Sequence, residues 1–541
     1  MPFSTDLGAE GIRAARSFAR GAGRLIAASL IALAATAAHA QEKTITAVMH
    51  AGLRMLDPIV STAHITRNHG YMVYDLLVGV DAKGVVQPQM ASWETAEDGL
   101  TYTFKLRDGL VFHDGKKVTA ADAVASLKRW GSRDGAAAFL MAATGSIEAA
   151  DETTIVWRLK EPFPLLLEVL AKQSSVPAFI MPERVAATPS DTAITEYVGS
   201  GPFVFVDSEF QPGVKIVYKR FEDYKPRNEA ASGMAGGKVV NVDRVEWVTM
   251  PDSQTAISAL MTGEIDLIEN TQIDLLPILE SSPDVTVEVR DPLGYQGFVR
   301  MNFKHPPFDD VRIRRAALTA LGQEQVMSTM VGNPDYYWLC GAIFGCGTSL
   351  GDETGAESLK AGGDKAKARQ MLEEAGYDNT PVVILQPTDI GAMGGVPVVV
   401  ASELREAGFN VNLQPMDWQT LVARRASMNK PSEGGWNIFT SFASGVEANT
   451  PLVHPILPST GDTGWFGWAT DPELEALRAA YLKAATFDEQ KEIAHKVQAR
   501  VLDNVIFVPL GNYSFVQARS NKLTDMLPTA IPVFWNVKLA D

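Results

Sequence analysis

A regular alternation of apolar and polar side chains runs through the stretch TYTFKL, which begins at Thr101. Its apolar positions are Tyr102, Phe104 and Leu106, and this period of two predicts a strand with one buried face. Two Asp-Gly turn signals follow. Thr119 then precedes an acidic residue by three positions, which is the pattern of a helix N-terminus. The segment therefore predicts a hairpin, a turn and the start of a helix, and its residue types indicate scaffold rather than chemistry.

Along the rest of the chain, apolar residues recur with the period of a strand or with that of a helix. Predicted strands lie at 44–49, 153–159, 199–205, 214–221, 410–416 and 505–510. Predicted helices lie at 120–130, 253–262, 311–322, 364–376 and 396–409, with two more between 471 and 504. Strands alternate with helices but hairpins also occur, which favours a mixed α/β chain. Hairpins dominate before residue 290 and longer helices after it, so we place a boundary between two lobes there.

The N-terminal 40 residues have the pattern of a secretory signal peptide. Four arginines, the last of them Arg24, precede an apolar run from Leu25 to Ala38, and Ala38-His39-Ala40 is a small-residue cleavage site. A membrane anchor is the alternative, but the run is shorter than the roughly 20 residues of a span. No cysteine stands at the cleavage point, so we expect no lipid anchor.

The charge balance limits the class of partner. The 541 residues carry 48 basic and 64 acidic side chains, a net charge of −16. Removal of residues 1–40 takes away four Arg, one Asp and one Glu and leaves −18. This balance argues against nucleic acid and against anionic lipid surfaces, and no later apolar run reaches the roughly 18 residues of a membrane span.

Both cysteines, Cys340 and Cys346, lie in the glycine-rich stretch WLCGAIFGCG. In an oxidising compartment such a pair is expected to form a disulfide. A redox pair and a pair of metal ligands are the alternatives, but the spacing is not C-x-x-C and no histidine is near in sequence.

Motifs for catalysis or metal binding are weak. The sequence GTSLG matches G-x-S-x-G, but a loop-like stretch follows it where a hydrolase nucleophile needs a helix, so a secreted serine hydrolase using Ser349 is the less favoured alternative. His64 and His69 are five residues apart, whereas a helical metal pair needs three or four. A metal or metallophore receptor using these histidines remains an alternative. No nucleotide fingerprint is present after residue 40, and we expect no cofactor.

Aromatic residues beside small, polar loop residues are more informative. They cluster at 416–451 and 463–470. Flat apolar rings next to an accessible backbone suit the wall of a ligand cleft. The candidate wall residues are Trp418, Trp436, Phe442, Ser444 and Trp465.

Four stretches carry a family resemblance. Residues 91–124 (ASWETAEDGLTYTFKLRDGLVFHDGKKVTAADAV) resemble the hallmark segment of family 5 extracellular solute-binding proteins, the peptide-, oligopeptide- and nickel-type receptors of ABC importers. VGSGPFVF at 198–205 resembles their G-[TS]-G-P-[FY] turn, and ALMTGEIDLI at 259–268 the helix, glycine and strand that follow. RMNFKHPPFDDVRIRRAALTAL at 300–321 resembles their asparagine-containing strand, Pro-Phe-Asp turn and helix.

The resemblance implies a two-lobed α/β binding-protein fold of type II, with mixed sheets joined by a hinge. We expect lobe I at 41–290, with an inserted subdomain at about 72–190, lobe II at 291–507, and a C-terminal return to lobe I at 508–541. The resemblance further implies a receptor that closes on a small solute. The signal peptide indicates the periplasm, and because no catalytic constellation and no sign of stable oligomers is present, we expect a monomer that is not an enzyme. Its partners would be the transmembrane subunits of an ABC permease and, through them, the ATPase.

The ligand site and the solute follow from the same resemblance. We expect Arg54 and His64 to contribute from the edge of lobe I and Tyr295 to sense closure near the crossover, with the wall residues coming from lobe II. Arg54 has the geometry to clamp a carboxylate or phosphate. Peptide receptors of the family hold the ligand's amino group with an acid where this chain has Gly445, so Glu447 is a possible substitute. The expected solute is peptide-like, opine-like or a sugar conjugate.

Overall fold

The structure, a computed structural model, describes residues 42–484 and 486–540. The following description concerns the compact unit that begins at Thr44. The predicted signal peptide, residues 1–40, lies outside the described residues.

A seven-stranded mixed sheet contains the first strand, Thr44–Val48. This strand pairs in parallel with Arg244–Val248 on one side and with Leu267–Ile268 on the other. The three strands therefore run in the same direction, and their carboxyl ends lie at the same edge of the sheet. In spatial order the strands are Val285–Val289, Val516–Ser520, Leu267–Ile268, Thr44–Val48, Arg244–Val248, Lys215–Arg220 and Phe203–Phe205.

A six-stranded mixed sheet is built around Tyr295–Met301, a strand whose seven residues are all buried. It pairs antiparallel with Ile438–Ser444 and with Val508–Tyr513. In spatial order the strands are Tyr337–Trp338, Val508–Tyr513, Tyr295–Met301, Ile438–Ser444, Val382–Pro387 and Val411–Met416.

The predicted strand at 101–106 belongs to a four-stranded antiparallel sheet, but it pairs with Ala91–Thr95 and Thr154–Leu159 rather than with the apolar run 110–112 that follows the turn. Thr101–Leu106 buries Tyr102, Phe104 and Leu106, as the alternation predicts. The strands, in spatial order, are Ala91–Thr95, Thr101–Leu106, Thr154–Leu159 and Thr144–Ala149. Two smaller pairs join Val78–Val80 to Val86–Pro88 and Leu523–Thr524 to Lys538–Leu539.

Helices cover the sheets and complete the mixed α/β class that the sequence predicts. Their bounds are His64–Val73, Ala120–Gly131, Gly135–Ala143, Leu166–Leu170, Glu183–Ala186, Ser253–Thr262, Leu276–Glu280, Val311–Ala320, Gln323–Met330, Glu357–Lys360, Lys365–Ala375, Val396–Glu406, Trp418–Arg424, Gly445–Ala448, Pro472–Lys483 and Phe487–Asn504. Among the described residues, no helix combines the length and the apolar character of a membrane span.

Local chemistry explains several helix ends. The backbone N–H of Thr119 donates to Asp122 Oδ2 at 2.8 Å, which is half of the predicted capping box. Gly263 ends its helix with a φ of 76°, a left-handed conformation that favours glycine. Val505 also takes a positive φ, of 52°, after the last helix. The predicted strand at 505–510 therefore begins three residues later, at Val508.

The chain crosses between the two large sheets twice, between Val289 and Tyr295 and between Tyr513 and Val516. The two crossings run side by side, because Val289 pairs with Val516 and Tyr295 pairs with Tyr513. We call residues 44–289 and 516–540 region A, and residues 295–513 region B. The return strand Val508–Tyr513 belongs to the sheet of region B.

Cys340 and Cys346 form the predicted disulfide, with their Cα atoms 5.8 Å apart. Cys340 is fully buried. The bridge closes a short loop of region B.

Candidate functional site

A cavity of about 330 Å³ lies between region A and region B, and we call it the cleft cavity. On the side of region A it follows the carboxyl ends of the three parallel strands that end at Val48, Val248 and Ile268. Ligands of open α/β sheets bind in the crevice at this end of parallel strands. Its volume lies within the range of about 300–1,000 Å³ found for small-molecule sites. The lining residues include His50, Gly52, Arg54, Thr271, Asp274, Asp389, Trp418, Gln419 and Tyr513.

A second space of about 30 Å³, which we call the inner cavity, also lies between the two regions. Region A contributes Thr62, Ala63, His64 and Ser175 to it. Trp418 lines both cavities, so its side chain forms part of the wall of each. The residues of region B around the inner cavity are Phe298, Trp418, Arg425, Ser441, Phe442, Ala443, Glu447, Pro455, Ile456 and Trp465.

Five of the eight predicted site residues line one of these cavities. Arg54 lines the cleft cavity, Trp418 lines both, and His64, Phe442 and Trp465 line the inner cavity. His64 lies at the first turn of its helix, and its ring centroid is 5.2 Å from that of Phe442. The folded chain therefore brings together residues that are up to 411 positions apart in sequence.

The other three predicted residues lie behind the walls. Tyr295 is buried, with its ring centroid 5.6 Å from Phe442, and it stacks on Phe515 at 3.8 Å beside the two crossings. Ser444 is buried and its backbone N–H donates to Glu447. Trp436 is fully buried, its indole N–H donates to the carbonyl oxygen of Arg425, and it lines neither cavity.

Two polar contacts join the regions at the cleft cavity. Arg54 Nη1 lies 3.3 Å from Asp417 Oδ1, and the Arg54 side chain is 51% exposed. Gln419 Nε2 donates to the carbonyl oxygen of Gly52 at 2.8 Å. Asp417 also caps the helix Trp418–Arg424 by accepting from the backbone N–H of Thr420. The helix N-terminus that carries Trp418 is thereby fixed against region A.

A buried network joins the regions beside the inner cavity. Glu447 Oε1 accepts from His64 Nε2 at 2.8 Å, and Glu447 Oε2 accepts from the Ser174 hydroxyl. Ser174 in turn accepts from Arg67 Nη1 at 2.7 Å. Burial alone would raise the pKa of Glu447, but the charge and hydrogen bond of His64, with Arg67 and Ser174, lower it to about 2. Glu447 is therefore an ionised carboxylate whose oxygens are occupied by the protein.

A second buried carboxylate lies beneath the cleft cavity. Glu269 Oε2 accepts from the backbone N–H of His50 at 2.9 Å and lies 2.8 Å from His50 Nδ1. Burial would raise the pKa of Glu269, but His50 and Arg290 lower it to about 2. This pair fixes His50 in the wall of the cleft cavity.

The residues of the two alternative functions either have other partners or lie outside both cavities. His64 is bonded to Glu447, whereas His69 Nδ1 lies 2.9 Å from the hydroxyl of Tyr218. The two imidazoles therefore have different partners. Ser349 lies exposed in the turn after Cys346 and lines neither cavity.

Arg425 is the buried charged residue of the inner cavity that the sequence reasoning missed. It follows the helix Trp418–Arg424, and it is buried at the inner cavity with the guanidinium 5.8 Å from the ring centroid of Trp418. Trp418, Leu421 and Arg425 are spaced i, i+3 and i+7, so an arginine at a position of the buried helix face was the available signal.

Comparison with known proteins gives one consistent picture. The sequence model of bacterial extracellular solute-binding proteins, family 5 (middle), matches residues 85–455. A probable peptide ABC transporter periplasmic-binding protein of Sinorhizobium fredii is 39% identical over 511 residues, which are 94% of this chain and 96% of the relative.

Solved structures share the fold. A periplasmic binding protein of Agrobacterium tumefaciens R10 in complex with agropinic acid has a TM-score of 0.77 and 23% identity, covering 92% of this chain and 99% of the other. An ABC transporter-associated periplasmic binding protein of Helicobacter pylori in complex with the peptide STSA has a TM-score of 0.76 and 20% identity, with the same coverage. The predicted α/β binding-protein fold is confirmed.

Proposed function

The chain belongs to the family 5 extracellular solute-binding proteins, and from this we propose that it is the substrate-binding receptor of an ABC importer. It captures a small solute between two lobes and delivers the solute to a membrane permease. The observation that carries the proposal is the cleft cavity, a space of suitable volume at the carboxyl ends of parallel strands and between two regions joined by two chain crossings.

Hinge closure is the proposed mechanism. Regions A and B act as lobes I and II, with the inserted subdomain at about 72–190, and the paired crossings at 289–295 and 513–516 act as the hinge. We place the return to lobe I after Tyr513 rather than at residue 508, because Val508–Tyr513 pairs with strands of region B. Closure is driven by the solute only if it makes contacts in the closed state that the open state lacks.

The proposed ligand contacts follow from the walls of the two cavities. Trp418 and Phe442 supply flat apolar surface, and Arg54 and His64 supply polar groups from region A. Tyr295 touches the ring of Phe442 from behind and stacks on Phe515, so it transmits closure to the hinge. Trp436 and Ser444 support these walls from the core of region B, and Trp465 lines the inner cavity.

Peptide-like, opine-like and sugar-conjugate solutes remain the proposed classes. One relative is named as a probable peptide ABC transporter periplasmic-binding protein. One similar solved structure is a complex with agropinic acid. Glu447 is a poor receptor for a ligand ammonium group, because His64, Ser174 and the backbone of Ser444 already donate to it. A solute recognised mainly through its amino group is therefore disfavoured.

The proposed setting is the periplasm, with residues 1–40 as a cleaved signal peptide. The partners are the permease subunits and, through them, the ATPase, and the receptor acts as a monomer. We propose that the solute leaves chemically unaltered, without metal or cofactor. The exposed position of Ser349 outside both cavities supports this proposal over a hydrolase.

Mass spectrometry of small molecules released by denaturing the protein purified from its native cells tests the proposal. A single small solute should be released in near-stoichiometric amount, and returning it should raise the melting temperature by mass action. If neither the released molecules nor a panel of peptides, opines and sugar conjugates raises the melting temperature, the proposal is wrong.

A further inference from the structure

We propose that the inner cavity is a subsite for a carboxylate of the solute, which Arg425 and the indole N–H of Trp465 bind. The inference rests on the proposed receptor function and adds the chemical class of one end of the solute. The body of the solute occupies the cleft cavity, and its acidic end passes Trp418, the residue common to both walls.

The surroundings of Arg425 leave its charge unpaired. Its side chain is buried, and within the described part of the chain no carboxylate oxygen lies within 4.0 Å of it. Its Nη2 donates to the hydroxyl of Thr62 at 3.3 Å, while its Nε is buried without an acceptor. The faces of aromatic rings surround the guanidinium, the nearest being Phe466 at 4.9 Å. Such a cation costs free energy unless an anion joins it.

Other buried arginines of the fold are provided with acceptors. Arg129 reaches Asp57 with Nη2 at 2.7 Å, and Arg300 donates through Nε and Nη1 to the backbone carbonyl oxygens of Phe466 and Ile506, while its Nη2 is buried without an acceptor. Both arginines therefore have strong acceptors within the protein. Arg425 at the inner cavity differs, because its available acceptors are fewer and it faces the space between the regions.

Trp465 supplies a second buried donor at the same cavity. Its Nε1 has no acceptor among the described residues, and the guanidinium of Arg425 is 5.8 Å from its ring centroid. A carboxylate has two oxygens and prefers a planar arginine fork beside a further N–H donor. Two donors without acceptors therefore match one carboxylate.

Glu447, a charged residue on the wall of the inner cavity, does not pair with Arg425. Glu447 lines the inner cavity, but its oxygens accept from His64, Ser174 and the backbone of Ser444. Burial lowers the pKa of Arg425 to about 10, so it stays protonated at neutral pH. The volume of about 30 Å³ admits a group the size of a carboxylate rather than a ring.

Binding of matched acid and amide probes tests the inference. The probes are the peptide STSA, its C-terminal amide, agropinic acid, and the solute released from the native protein, each titrated calorimetrically into the solute-free protein. A comparison of the affinities of STSA and its amide shows whether the protein binds an α-carboxylate. Binding of agropinic acid shows whether the protein binds an opine-type acid. Arg425→Gln should weaken binding of the acid on the order of 100-fold, and Trp465→Phe about tenfold. The amide should bind wild type and Arg425→Gln within about threefold of each other.

Arg424→Gln is the matched control, because Arg424 is the neighbouring arginine, lines neither cavity and donates to the carbonyl oxygens of Gly434 and Gly435. The melting temperature of solute-free Arg425→Gln should equal or exceed that of wild type, since an unpaired buried charge is removed. If an acid binds wild type and Arg425→Gln with equal affinity, the proposed carboxylate subsite is contradicted, whereas the proposed receptor function is not. If no probe and no released solute binds wild type, both are wrong.

Discussion

Arg54 and Arg425 both reach the space between the two regions, but their surroundings differ. The Arg54 side chain is 51% exposed and lies 3.3 Å from Asp417, whereas Arg425 is 3% exposed and has no carboxylate partner among the described residues. An exposed charge that is already paired stays hydrated and contributes little to the free energy of solute binding. A buried, unpaired charge attracts an incoming anion strongly, because water does not screen the interaction. The residue types alone could not separate them, because burial depends on packing between distant segments.

Arg54→Gln should therefore have a small effect on solute affinity. Exposed ion pairs contribute about 0.2–1 kcal/mol, which corresponds to less than about fivefold in Kd. Calorimetric titration with the released solute measures it, and Arg54→Lys, which keeps the charge, is the control. A loss above about tenfold would contradict a weak, solvent-screened contact between Arg54 and the solute.

Glu447→Gln should destabilise the protein by about 3 kcal/mol at neutral pH, because it removes one partner of a buried, charge-assisted network. The pKa of Glu447 is lowered in the folded state to about 2, against about 4.3 in the unfolded chain. Its contribution is therefore fully present above about pH 4.3 and is lost as the pH falls towards 2. Urea unfolding of both proteins from pH 7 to pH 3 measures the difference.

The exposed Glu433→Gln is the control for that series and should stay near wild type throughout. A difference between wild type and Glu447→Gln that is constant, or that grows, as the pH falls would contradict an ionised Glu447 held by His64 and Ser174.

Secondary-structure elements with strong periodicity were predictable from the sequence, and side-chain environments within them were less so. The strand Thr101–Leu106 and the helix Ala120–Gly131 follow the alternation and capping signals closely. Trp418 and Trp436 both stand beside polar or glycine residues, yet Trp418 lines both cavities and Trp436 lies in the core. The direction in which each ring points depends on the tertiary neighbours of its element, which a local pattern does not contain.

The glycine-rich turn before the strand Phe203–Phe205 has a packing reason. A Cβ atom on Gly199 would lie 1.9 Å from the carbonyl oxygen of Val73, at the end of the helix His64–Val73. That helix carries His64 and Arg67, so the turn fixes the position of the polar network. The resemblance of this turn to a family motif thus corresponds to a close backbone approach.

Gly199→Ala should lower the free energy of unfolding by about 1–3 kcal/mol, because the backbone must shift to admit the methyl group. Gly395→Ala is the matched control, since its nearest neighbour would be Thr329 Cγ2 at 3.8 Å, an ordinary contact. Urea denaturation of both variants provides the comparison. Equal stability of the two variants would contradict the close approach at Gly199.

At the scale of the whole molecule, the two large sheets are joined by paired crossings. Tyr295 pairs with Tyr513 and Val289 with Val516, so both crossings lie together, as the proposed hinge requires. Contacts that join the regions, such as Gln419 to Gly52 and Glu447 to His64, are the ones that opening would break. The family resemblance predicted this architecture, whereas the position of the return strand Val508–Tyr513 required the sheet pairing itself.

Small-angle X-ray scattering of the protein with and without its released solute measures lobe closure. We expect a smaller radius of gyration at saturating solute, because the solute holds regions A and B in the closed arrangement, and we expect mass spectrometry to recover the solute unchanged. Identical scattering profiles at a solute concentration that calorimetry shows to be saturating would contradict closure.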